Sequence, residues 1–128
     1  MPAPIIFISR YRILEGRADQ LNAAFSAGIN LIASTKPRTA LFGAYVDPAR
    51  MEVRFVHAFP DAEAIRQHFA GAAERASAVA DMISLLGFEL YGAAPAELAN
   101  ELRASAGASG AEVVWLEQDL GGFLRPPR

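Results

Sequence analysis

The sequence predicts an α+β fold: a ferredoxin-like βαββαβ antiparallel sheet with helices on one face, extended by a C-terminal helix and strand. Three observations carry this. The elements follow the order strand, helix, strand, strand, helix, strand. Over Met51 to Phe69 the hydrophobic period changes. Met51, Val53, Phe55, His57 and Phe59 alternate like a strand, and Ile65, Phe69, Ala72, Ala76 and Val79 then recur at helical spacing. Lastly, apolar residues occupy both parities of at least three strands.

The first strand runs from about Ile5 to Ile13, with Ile6 and Ile8 on one face and Phe7, Ser9, Tyr11 and Ile13 on the other. Glu15-Gly16 supplies a turn, and a helix follows from near Arg17 with the stripe Leu21, Phe25, Gly28 and Ile32. Gly28 in that stripe weakens the helix, so a close approach to the sheet is expected there. Pro37 ends the helix. A second strand, about Thr39 to Val46, turns through Asp47-Pro48-Ala49-Arg50 into the Met51 strand, which makes a hairpin. Asp61 is placed to cap one long helix running to about Asp81, with Glu63 and Glu74 outward. A fourth strand spans about Leu85 to Gly92, with Leu86, Phe88 and Leu90 opposed to Leu85, Glu89 and Tyr91. Pro95 opens a short helix through Leu98 and Leu102. Ser105 to Gly110 reads as a flexible linker, and a last strand covers Glu112 to Glu117. Gly121-Gly122 then lets Phe123 and Leu124 dock before the tail Arg125-Pro126-Pro127-Arg128. The chain divides into a ferredoxin-fold domain at 1–94 and an extension at 95–128, which packs on that domain or on a partner.

At 128 residues, the chain has the length of one domain and buries roughly two-thirds of its unfolded surface. A net charge of −2 gives no basic field, so neither nucleic acid nor an anionic membrane surface is an expected partner. The absence of cysteine removes disulfides, thiolate metal sites and a cysteine nucleophile. A cytoplasmic location is the default expectation. The apolar run in MPAPIIFISRYR is too short for a signal peptide or a membrane span. Sheet faces apolar on both sides exceed what a monomer normally leaves to water, so a second copy packed sheet to sheet, a homodimer, is expected.

Gly16-Arg17 opening the first helix, the Tyr45-Val46-Asp47 reversal, and Asp61-Ala62-Glu63-Ala64 leading to His68 resemble the antibiotic biosynthesis monooxygenase (ABM) family of dimeric α+β barrels. The resemblance covers about Ile5 to Ala94. It departs at Lys36-Pro37-Arg38, where members often carry Glu-Pro-Gly. It implies a dimer with a pocket in each subunit between sheet and helices, and a cofactor-independent monooxygenase acting on a small aromatic or quinone-like compound. The alternative is a non-catalytic small-molecule-binding or structural protein of the same fold. Haem-degrading members use an asparagine, a tryptophan and a histidine at positions matching Ser9, His68 and Ala78, so the axial imidazole is missing and haem chemistry is not expected.

No metal site is expected, because His57 and His68 lie eleven positions apart with no carboxylate at matching spacing. No serine triad order and no glycine-rich phosphate loop is present. Cofactor-free oxygen chemistry needs a base and one or two donors among apolar walls. His68 at the edge of the helical stripe is the candidate base, with Ser9 and Tyr11 as hydroxyl donors. His57, Tyr45 and Phe69 are candidate ligand-binding residues. The plainer reading makes His68 a partly buried histidine bonded to a carbonyl or water, His57 a core or interface histidine, and the tyrosines ordinary sheet residues.

Overall fold

Alternation of apolar residues decides which side of each strand meets the core, and the observed register follows it. The computed structural model describes residues 3–125, so the tail's end at 126–128 lies outside them. The elements are β1 (Ile5–Ile13), α1 (Ala18–Thr35), β2 (Leu41–Asp47), β3 (Glu52–Phe59), α2 (Ala62–Phe69), α3 (Ala72–Val79), β4 (Ile83–Tyr91), α4 (Ala96–Ser109) and β5 (Glu112–Leu116). The strand order is β2-β3-β1-β4-β5. The first four pair antiparallel in the ferredoxin-like manner, while β5 joins β4 in parallel. The sheet is therefore mixed and not purely antiparallel. A parallel neighbour needs a crossover, and α4 is that crossover.

Four elements differ from the sequence reading, each for a local reason. The long helix expected after Asp61 is two helices, broken where Ala70 is extended and Gly71 takes φ 82°. Glycine enters that left-handed region without a Cβ penalty. Asp61 does cap α2, its Oδ1 accepting from Ala64 N at 2.9 Å while Arg38 Nη1 donates to the same carboxylate at 2.9 Å. The supposed linker Ser105 to Gly110 is the last turn of α4 and its cap. Ala106 is buried in the core, and Gly110 closes the helix at φ 68°. In β4 a bulge opposite Arg10/Tyr11 skips Leu86, so Ile83 and Leu85 face the helices beside Phe88 and Leu90. Phe123 and Leu124 do not dock: both are exposed. Gly87 lies buried where a Cβ would come within 2.8 Å of the Glu112 carbonyl, which is why β5 can approach β4 there.

All the helices lie over one sheet face. The main core gathers Phe7, Phe59, Ile65, Leu90, Leu98 and Leu102 from both layers, and α4 covers it beside α2. The opposite face presents Ile6, Ile8, Val56 and Leu41, with Arg10 and Arg54 both donating to Glu52 at 3.1 Å. That face is thus apolar in its middle and charged at one end. Gly28 makes no close approach to the sheet, since a Cβ there would meet nothing within 4 Å. Gly28→Ala is therefore expected to raise stability by up to about 1 kcal/mol, through helix propensity and a less flexible unfolded chain. A urea midpoint at or below wild type would contradict this.

Candidate functional site

The stripe of α1 stands off the sheet, and the space beneath it is a cavity of about 650 Å³, within the ~300–1,000 Å³ typical of small-ligand sites. Six of the chain's eight phenylalanines line it: Phe7, Phe25, Phe42, Phe55, Phe69 and Phe88. Such walls favour a flat apolar guest, through area burial and ring-to-ring contacts. The polar groups among them come from different elements. Ser9 and Tyr11 lie on the helix-facing row of β1, His57 on that of β3, and His68 on the last turn of α2.

Both imidazoles are buried, at 5% and 4% exposure for His57 and His68. Their rings meet edge to face, with centroids 4.9 Å apart and planes at 77°. His57 Nδ1 lies 3.0 Å from the Phe7 carbonyl oxygen. A carbonyl can only accept, so Nδ1 carries the proton and Nε2 holds a lone pair. His68 Nδ1 lies 2.7 Å from Thr39 Oγ1, a hydroxyl that can donate or accept. Every enclosed side-chain nitrogen or oxygen among the described residues has a partner. Among the described residues neither Nε2 has a hydrogen-bond partner, so both are accessible in the cavity that these rings line.

Burial is the main force on their protonation. It pushes His57 down to about 4 against the pull of the Phe7 carbonyl, with the Arg75 charge adding to the fall. His68 is pushed down to about 3, by burial first and then by His57, Arg75 and Lys36. Both rings are neutral at pH 7. Burial raises the Tyr11 phenol above its ordinary value, while the Ser9 hydroxyl works the other way. The result is two neutral imidazoles, one with a defined lone pair and one of adjustable polarity, beside two hydroxyls.

Of the residues singled out from sequence, His68, Ser9, Tyr11, His57 and Phe69 all line this cavity. Tyr45 does not. It sits on the opposite sheet face across from Arg54, 61% exposed, because its parity on β2 is that of Leu41 and not that of Phe42. Two further residues bear on this site that the sequence did not single out. Thr39 precedes β2 and holds the His68 ring, and Arg75 on α3 donates to the His68 and Ala70 carbonyls while lining the cavity. No motif marks Thr39. Arg75 could have been found as a cation one position off the apolar row of its helix.

The fold is that of the ABM-type ferredoxin-like proteins. The chain superposes on MupZ from Pseudomonas fluorescens with a TM-score of 0.71 at 18% identity, covering 97% of this chain and 96% of that one. It matches a variant of SnoaB, a cofactor-independent oxygenase from Streptomyces nogalater, with a TM-score of 0.57 at 16% identity, over 68% of this chain and 89% of that one. A candidate antibiotic biosynthesis monooxygenase from Deinococcus radiodurans gives 0.58 at 13% identity, over 68% and 89%. No family model and no curated protein matches the sequence. The likeness to MupZ thus takes in nearly the whole chain, and that to the other two about two-thirds of it. No helix among the described residues is long and apolar enough to cross a membrane.

Proposed function

We propose that the protein is a cofactor-independent monooxygenase acting on a small aromatic or quinone-like compound. The observation that carries this reading is the convergence of two neutral imidazoles and two hydroxyls in one phenylalanine-walled cavity. The likeness in fold to a cofactor-independent oxygenase supports it. The substrate is an electron-rich phenol with an acidic ring CH₂. His57 Nε2, fixed as a lone pair, takes the proton. His68, with Thr39 donating to its Nδ1, presents Nε2–H to the substrate oxygen. Ser9 and Tyr11 supply further donors. Overall, CH₂ and O₂ give C=O and H₂O. The substrate yields all four electrons that oxygen takes up, so the electron count calls for no flavin or metal.

A low imidazolium pKa does not defeat this step. Proton transfer makes an imidazolium and a substrate anion together, and in a dry cavity each stabilises the other. Oxygen uptake with a hydroxyanthrone in the presence of a metal chelator tests the proposal. Uptake matched by quinone formation is expected. Binding without uptake would leave the non-catalytic reading of the same fold.

The working unit in this proposal is a homodimer, with the Ile6, Ile8 and Val56 face covered by a second copy. Ile8→Asp, placing a charge in the middle of that face, is expected to halve the mass seen by sedimentation equilibrium. A wild-type chain that is monomeric at micromolar concentration would remove the dimer.

A further inference from the structure

Arg75 has more donors than partners. Its Nη1 donates to the Ala70 carbonyl at 3.0 Å and its Nη2 to the His68 carbonyl. A guanidinium has five N–H groups, so three remain. Among the described residues no carboxylate lies within 4.0 Å of it, whereas six other arginines each have one. Arg12, Arg103 and Arg125 also lack a carboxylate, but they are exposed in water, and Arg75 is partly buried against the cavity. Closing the end of α2 does not by itself explain it. Lys36 Nζ already donates to the Gln67 and Ala70 carbonyls at 2.8 Å each.

The charges around the cavity are unequal in reach. Glu74 on α3 and Glu101 on α4 also line it with exposed side chains; the Glu74 charge acts on Arg75, and water weakens both fields. At the buried end, the Arg75 charge bears on both imidazoles and that of Lys36 on His68, while no carboxylate does. The interior is therefore positive in potential although the rim is mixed. Among the described residues the guanidinium keeps one unspent N–H on each of Nε, Nη1 and Nη2, and such a group can receive a planar carboxylate.

We infer that the natural ligand is an aromatic acid whose carboxylate is received by Arg75 while its rings enter among the phenylalanines. This rests on the small-molecule reading above and narrows its substrate class. The test is calorimetric binding of a hydroxynaphthoic acid and its methyl ester to the whole protein. The acid is expected to bind wild type roughly ten- to a hundredfold more tightly than the ester, the worth of a hydrogen bond to a charged group. Added salt should weaken the acid and spare the ester. Arg75→Met should erase the preference and Arg75→Lys should keep part of it. Should α3 be disturbed in the first variant, the wild-type ratio and its salt dependence still decide. Equal affinity for acid and ester in wild type would overturn the carboxylate assignment and leave the cavity reading standing. Failure of both compounds to bind would overturn both.

Discussion

Lowering the pH from 7 to 5 is expected to cost the fold about 2 kcal/mol for each of its two histidines. In the unfolded chain an imidazole takes up its proton near pH 6.5. In the fold His57 stays neutral down to about 4 and His68 down to about 3. Between those values the unfolded state binds more protons, so stability is full above pH 6.5 and falls as the pH drops toward the folded values. The two losses together, about 4 kcal/mol, approach the lower end of the stability of a small domain, about 5–15 kcal/mol. The window from pH 6.5 to 5 also lies above the range where carboxylates protonate, which isolates the histidines. Urea denaturation at pH 7, 6 and 5 measures the effect. The double variant His57→Phe, His68→Leu should show a nearly flat profile over that range, even though it starts lower for want of a donor to the Phe7 carbonyl. A wild-type profile as flat as that of the variant would mean that the rings are not held neutral.

The second large effect concerns turnover. His57→Leu and His68→Leu are each expected to lower kcat by ~10²–10⁴-fold, the usual contribution of a general acid or base. The double variant should lose little more than the worse single one, because the two rings act on one proton transfer. Tight binding of an aromatic ligand should survive in both, since the phenylalanine walls are untouched. Thr39→Val should fall between wild type and His68→Leu. It removes the hydroxyl bonded to His68 Nδ1 but leaves the ring in place. Unchanged turnover in both single variants would remove the imidazoles from the chemistry.

How much of this was legible in the sequence varies by element. The β3–α2 junction was, because alternation through Phe59, a proline, and a capping aspartate are local signals that the tertiary structure had no reason to override. The break at Ala70-Gly71 was not. The apolar row continues across it from Ile65 to Val79, and only the left-handed Gly71 shows that the direction changes. Ser105 to Gly110 looked like a linker because small residues mark both flexible segments and closely packed helices. Burial of Ala106 decides between the two, and burial is not a local property. The same holds in the site. Parity put Ser9 and Tyr11 together on one face of β1, but the face His57 shares with them follows from the pairing of β3 with β1, which parity within one strand cannot give. Tyr45 lies on the other face from this cavity because the side a strand parity faces depends on register with its neighbour, which the hairpin turn fixes only in three dimensions. Thr39 and Arg75 matter through contacts 29 and 7 residues away in the chain, with no spacing rule to announce them.

One binding measurement bears most directly on the cavity as the functional centre. Gly28 faces it from α1, and a side chain built there meets nothing within 4 Å of its first carbon. Gly28→Phe should therefore fill the space without disturbing the fold. Titration calorimetry with a hydroxyanthrone is expected to show saturable binding to wild type and none to the folded Gly28→Phe protein. Equal binding to the two would mean that such compounds are held elsewhere, and the cavity would lose its role.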